Sequence, residues 1–420
     1  MTNNFTVQFA GRMLAVALAA GLAACGGGGG GSSTATTSSS GVASASQATA
    51  TALSASTIAP AAADTSLLAG ANTAYDMTAA MGDSWRLVLN TNSHQFAIRV
   101  LTTAYGLSNT IPGTLTTTTN GNFITYSGST SNGDSFKITV DTRTSTLSGS
   151  VTLAGMTAAS AVVGSGVATT ALTGLAGDYV FMNAAHNTDG SSANSTMGTL
   201  HVETNGLVEL CPTGVVNAGH TGCSNVSSSL PAEAMVYGQL SVDAPSGHLV
   251  FGADSTHPSS TFNMNGRTDL VQVQAGDLGP VLVIDQDWVN SSSVRRAGVF
   301  LAARTFDTAL VPANQAGSYF CVGPTISQPG VSVAVTSSGG SNGGYSVNNG
   351  NSGVGNMYFN QVSDGTINGS APTLFPFNGG MVLYETDISN APPRVGFALS
   401  SSVFVFQNSA GSLNYCVRSN

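Results

Sequence analysis

Two aspartates with a single residue between them, Asp285 and Asp287, fall on one face of an extended segment beside Trp288. Such a carboxylate pair can ligate calcium through oxygen, or divide into acid and base over a sugar that stacks on the indole. Both chemistries need groups converging from elsewhere, and the local pattern reads as solvated aspartates at a strand end. The six histidines, His94, His186, His201, His220, His248 and His257, include no i, i+4 pair and no metal spacing. Cys211, His220 and Cys223 lie close together, but zinc takes four ligands in tetrahedral array and no second pair is near. The sequence therefore predicts no metal site and no cofactor.

Two further motifs match hydrolase signatures by letter. Gly339-Gly340-Ser341-Asn342-Gly343 has the spacing of a nucleophile elbow, which works by exposing the serine on a strand-to-helix turn. Here it sits in a Gly/Ser/Asn loop between strands. Gly82-Asp83-Ser84-Trp85 resembles the opening block of the Gly-Asp-Ser lipases and esterases. That family continues with an α/β pattern and a late Asp-x-x-His, neither of which this chain has. No catalytic residue is expected.

The four cysteines after residue 200 read as disulfides, as an even number does in an exported protein. Of three possible pairings, Cys211 with Cys223 would close a short loop at a hairpin tip. Cys321 with Cys416 would join the first strand of the last module to its final one.

Export is indicated at the N-terminus. After Arg12, residues 13–24 form an apolar run ending in small residues, too short for the ~20 residues a membrane-spanning helix requires. Leu22-Ala23-Ala24-Cys25 resembles the lipobox of bacterial lipoproteins with a type II signal peptide. The resemblance implies cleavage before Cys25 and a diacylglyceryl thioether on its sulfur, with palmitate-type chains anchoring the mature N-terminus. Gly26 stands where an inner-membrane retention aspartate would be, which points to the outer membrane, facing either the periplasm or the surface. One acyl chain holds a protein only marginally, so stable anchoring needs more than one. Residues 26–62 are mostly Gly, Ser, Ala and Thr, with no apolar periodicity to drive collapse. They predict a disordered tether that sets the first module on the order of 35 Å from the bilayer.

Composition removes other classes. Charged residues are 7% of 420, the net charge is −9, and Arg295-Arg296 is the one adjacent basic pair. A nucleic-acid surface needs a clustered positive field, so that partner is not expected. Hydrophobic residues at 42% are too many for a disordered chain.

From about Ala74 the pattern alternates, as in Trp85–Asn90 with Gln95–Val100 and in Ser135–Val140 with Leu147–Val151, punctuated by Gly-Asn and Asn-Gly turns. The chain is expected to be all-β, with tandem antiparallel meanders that are barrels or sandwiches. The divisions are signal peptide 1–24, tether 25–70 and β modules at 71–170, 171–312 and 313–420. Modules two and three open alike, with Ala176-Gly177-Asp178-Tyr179 and Ala316-Gly317-Ser318-Tyr319. Later, Leu282–Asp287 aligns with Val382–Asp387, and Arg296-Ala297-Gly298-Val299 with Arg394-Val395-Gly396-Phe397. The functional expectation is a lipid-anchored envelope protein acting as a non-enzymatic binding or surface-interaction module. The alternative is an envelope hydrolase of glycans or esters.

Overall fold

The computed structural model describes residues 59–420, omitting 61–64, 108–109, 155, 157–158, 169–170, 190, 213, 226–233, 245–247, 261, 263–267, 277, 291, 305–308, 324–330, 338–341, 349–352, 369–370, 386–392, 408–412 and 420. Cys25, the apolar leader, residues 26–58 of the tether and Ser341 lie outside the described residues.

The described chain is all-β, in three closed eight-stranded barrels joined in tandem. Barrel one comprises β1 (Thr73–Ala79), β2 (Ser84–Asn90), β3 (Gln95–Thr102), β4 (Thr110–Asn120), β5 (Phe123–Ser129), β6 (Ser135–Asp141), β7 (Thr146–Thr152) and β8 (Ser160–Ser165). Barrel two comprises β9 (Gly177–Asn187), β10 (Asn194–Val202), β11 (Leu207–Cys211), β12 (Val236–Val242), β13 (Leu249–Ala253), β14 (Thr268–Gly276), β15 (Gly279–Val289) and β16 (Arg295–Ala303). Barrel three comprises β17 (Gly317–Val322), β18 (Val331–Ser337), β19 (Asn342–Asn348), β20 (Gly353–Asn368), β21 (Ala371–Glu385), β22 (Arg394–Ala398), β23 (Val403–Gln407) and β24 (Leu413–Arg418). Each is an antiparallel meander closed by pairing its first strand with its last, as in Met77 with Gly164, Met182 with Leu301 and Cys321 with Cys416. Closure decides for barrels over sandwiches and leaves no open edge in the three barrel sheets. Among the described residues no helix is long and apolar enough to cross a membrane.

Alternation along the strands builds two kinds of core. Inward residues fill each barrel: Trp85, Leu87, Phe96 and Ile138 in barrel one, Tyr179, Phe181, Leu282 and Phe300 in barrel two, and Tyr319, Phe359, Phe404 and Cys416 in barrel three. An eight-stranded barrel is just wide enough for side chains to fill it. The outward residues between them form a further core shared by all three barrels, including Val163, Met182, Val283, Leu301, Phe397 and Val405. Strands such as β15, β16 and β23 are therefore apolar on both faces and read as continuous hydrophobic runs.

The paired openings of barrels two and three have a structural cause. Each follows a single helical turn, Leu172–Leu175 or Pro312–Gln315. The tyrosine hydroxyl then donates back to that turn, Tyr179 to the Leu175 carbonyl at 2.6 Å and Tyr319 to the Gln315 carbonyl at 2.8 Å. A Cβ on Gly177 would stand 2.7 Å from the guanidinium of Arg304, and one on Gly317 2.6 Å from that of Arg418. The glycine thus admits an arginine at the end of the last strand. The later alignment does not mark equivalent places. Leu282–Asp287 lies on the seventh strand of barrel two, and Val382–Glu385 on the fifth of barrel three. Strands buried on both faces share an apolar pattern whatever their order, which is why the letters coincide.

Candidate functional site

The hydrolase-like block Gly82-Asp83-Ser84 and the Asp285/Asp287 pair meet where barrels one and two touch. A Cβ on Gly82 would lie 2.3 Å from the backbone nitrogen of Gly298 on β16, so the glycine is required by the approach of the two walls (φ +91°). Asp83 accepts the Ala104 amide at 2.7 Å. Asp285 points out of barrel two, like Val281 and Val283, and accepts the hydroxyl of Thr102 on β3. Beside it the hydroxyls of Thr78 and Ser84 are 3.0 Å apart, and Thr78 donates to Gln272 Oε1 at 3.1 Å. The Gln272 amide in turn donates to the Met77 carbonyl at 3.3 Å. This is a polar seam inside an apolar interface, and it fixes how one barrel is set against the other.

The two aspartates of the pair have separate fates. Asp285 is 3% exposed. Burial, reinforced by Asp83 and Asp269, holds its carboxyl well above the usual range against the Thr102 and Ser84 hydroxyls. Asp287 sits in an exposed bidentate pair with Arg295, at 2.8 and 2.5 Å, and Arg295 also donates to the Thr103 carbonyl. Trp288 has the Arg296 guanidinium 5.6 Å from its ring centroid. His186 meets the Tyr105 hydroxyl at 3.1 Å, and burial followed by Arg296 lowers its pKa. With Asp285 and Asp83 sealed between barrels, the carboxylates do not present an acid and a base to a substrate in solution.

Asp83 gives this seam a pH signature. Burial pushes its carboxyl from 3.8 up to about 6, against the Ala104 amide and Thr103 hydroxyl, with Asp287 raising it and Arg295 lowering it. The folded state therefore keeps the proton longer than the unfolded chain. Stability from this group is fully present below about pH 4 and is lost as pH rises through about 6, by about 3 kcal/mol. Asp285 acts in the same direction. Urea midpoints at pH 4 and pH 7 should show that Asp83→Asn gains stability relative to wild type at the higher pH. A difference that stays constant across that interval would show that Asp83 ionises freely.

Both expected disulfides are formed. Cys211–Cys223 links the end of β11 to an outer hairpin, Gly214–Val216 with Cys223–Asn225, and Cys321–Cys416 crosses the closing seam of barrel three. The sulfurs that flank His220 in sequence are thus joined to each other.

His220 instead reaches a different set of residues. On the outer face of barrel two, strand pairing places Asp178 opposite His201, and His201 opposite Glu209. The loop of the outer hairpin folds over this row. It is held by Asn217, whose side-chain oxygen accepts the amides of Gly219 and Thr221, and by the disulfide at Cys223. His220 stands in the left-handed region at φ +51°, with its ring centroid 3.6 Å from that of His201. His201 Nδ1 is 2.6 Å from Asp178 Oδ1, and its Nε2 is 3.7 Å from Glu203 Oε1. His220 lies 3.8 Å from Asp178 and 3.9 Å from Glu203. Glu209 is 8% exposed, and its Oε2 has no hydrogen-bond partner. Burial pushes its carboxyl up, with His201 and His220 pulling it down.

No family model matches the chain. No curated protein matches it either. A solved structure that bears some likeness is a tryptophan-to-alanine mutant of the vaccine antigen Transferrin Binding Protein B from Haemophilus parasuis Hp5, 9% identical, with a TM-score of 0.17. The match covers 80% of this chain and 65% of that one, so the chain spans slightly less than two thirds of its length.

Spacing along the chain does not reveal the histidine–carboxylate row, because its members are brought together by strand register. His201 lies on β10 and Glu203 just past its end, and Asp178 and Glu209 join only through the two neighbouring strands. Of the remaining histidines, His94 stands exposed in the turn between β2 and β3. His257 stacks on Tyr237 at 3.8 Å and lies 2.5 Å from Asp254. The His248 carbonyl accepts the Asp243 amide.

Proposed function

We propose that this chain is a lipid-anchored protein of the bacterial outer membrane, held through Cys25, whose three barrels form a non-enzymatic binding module acting through its outer surface. The observation that carries the binding reading is the filling of all three barrels. Trp85, Phe181, Phe300, Tyr319, Phe359 and Phe404 are all fully buried. A packed interior argues against a carrier that encloses a small ligand in its lumen, and the buried Asp83–Asp285 seam argues for a scaffold role over a hydrolytic one. What the molecule offers a partner is its exterior. Polar hydroxyls are abundant there, as in the exposed Thr114 and Thr116–Thr119 of β4. A long Gly/Ser/Thr tether suits a module that must reach away from the membrane.

Fractionation of cells expressing Cys25→Ser tests the anchor. Wild type should sediment with outer membranes, while the variant should keep its leader and lose the lipid-dependent fractionation. A variant that still sediments with outer membranes at the mature size would overturn the proposal.

A further inference from the structure

We propose that Glu203, Glu209 and His220, with the Nε2 of His201 as fourth donor, bind a divalent transition-metal ion of the zinc class at the outer face of barrel two. The cluster holds two triads on opposite edges of the imidazoles, Asp178–His201–His220 and Glu203–Glu209–His220, within each of which the ligand atoms lie no more than 4.8 Å apart. His220 belongs to both. Asp178 lies at His201 Nδ1 and His220 Nε2, and Glu203 at His201 Nε2 and His220 Nδ1, so Asp178 orients the two rings from one edge while the other edge faces Glu203. A cation on the Glu203 edge would draw the 3.7 and 3.9 Å separations in towards the ~3.3 Å that donors at ~2 Å from a tetrahedral zinc keep between one another.

A second observation points the same way. Glu209 is more than nine-tenths buried, and its unpartnered Oε2 belongs to a carboxylate directed at His220 and Glu203. A buried polar atom left unpaired is costly, and a metal ion would satisfy it. The loop carrying His220 is preorganised by the Cys211–Cys223 disulfide and by Asn217, so little ordering remains for binding. Two imidazoles with carboxylates favour zinc, nickel or copper(II) over calcium or magnesium, and the absence of a free thiolate among the donors disfavours copper(I). The site lies on barrel two and its outer hairpin and is independent of the lipid anchor. Occupied, it would clamp the disulfide-closed loop to β10.

The test uses the full chain in detergent, stripped with a chelator, then titrated with Zn²⁺ by calorimetry and with Co²⁺ by visible absorption. One equivalent should bind, and Co²⁺ should develop ligand-field bands. His220→Asn preserves the residue's tolerance of the left-handed backbone while removing the imidazole. It and His201→Gln should each weaken binding at least about tenfold, and Glu209→Gln should do likewise. His94→Gln, in an exposed turn of barrel one, should leave affinity unchanged. Near-UV circular dichroism of each metal-free variant reports whether the barrel is intact, and His220→Asn alters only a surface loop. Absence of binding by the stripped wild-type chain would overturn the proposal. So would one-equivalent binding of unchanged affinity in the His201→Gln/His220→Asn double variant, which would place the ion elsewhere.

Discussion

Removing the Cys321–Cys416 disulfide by double alanine substitution is expected to destabilise barrel three by about 4–5 kcal/mol, an upper value from loop entropy for a closed segment of this length. The two cysteines are 95 residues apart and stand opposite one another in the β17–β24 register. That pairing is the contact with the largest loop to close in the barrel, because it joins the first strand to the last. Every other neighbouring pair of strands is consecutive in sequence and pays for a shorter loop. The Cys211–Cys223 bond closes 12 residues and should contribute about 3 kcal/mol. Urea unfolding of the two double-alanine variants, followed by proteolysis between residues 317 and 418, measures the order. If loss of Cys211–Cys223 proves the more damaging, closure of barrel three does not depend on its cross-link.

Phe300→Ala should destabilise barrel two by about 3–5 kcal/mol. The ring is fully buried, stacked on Phe181 at a centroid distance of 4.6 Å and met edge-on by Phe262 at 5.8 Å. Around it the wall is a continuous ladder of hydrogen-bonded strands, which cannot collapse into a void as a loop could. The cavity should therefore persist, and its cost adds to the lost transfer energy. Val299, its neighbour on β16, is equally buried but faces the shared core between barrels. Val299→Ala removes two methyl groups at a boundary that can readjust and should cost about 2 kcal/mol or less. Denaturant midpoints of the two variants compare them. A Phe300→Ala cost below that of Val299→Ala would mean that the lumen is not tightly filled, and would reopen the case for a ligand inside it.

Much of this architecture was legible in particular residues. Trp85, Leu87 and Leu89 opposite Phe96 and Ile98 alternate cleanly, because one face of that hairpin is apolar and the other mixed. The even cysteine count led to the correct pairs, since proximity in sequence and closure of a module leave few alternatives. Barrel against sandwich was not legible. It turns on pairing between strands such as β9 and β16, more than a hundred residues apart, and no local pattern encodes it. Strands β15, β16 and β23 also hide their inward side, because a second barrel buries the outward one.

The chemistry-bearing residues show the same division. Period-two reasoning placed Asp285 and Asp287 on one face but could not foresee that barrel one covers Asp285 and leaves Asp287 to Arg295. Gly82 and Asp83 look like a hydrolase signature because close backbone approach and a captured amide happen to need the same letters. The His201–His220 cluster went unseen for the opposite reason. Its residues are spaced by register across β9, β10 and β11 and by a folded-back loop, and neither is written in intervals along the chain.

Mass spectrometry of the N-terminal peptide, taken from the mature protein purified out of cell envelopes, tests most directly whether these barrels hang from a lipid. A peptide beginning at Cys25 and carrying the added mass of a diacylglyceryl group is the predicted result. A mature chain that retains residues before Cys25, or one in which that cysteine is a free thiol, would contradict the anchor and with it the proposed function.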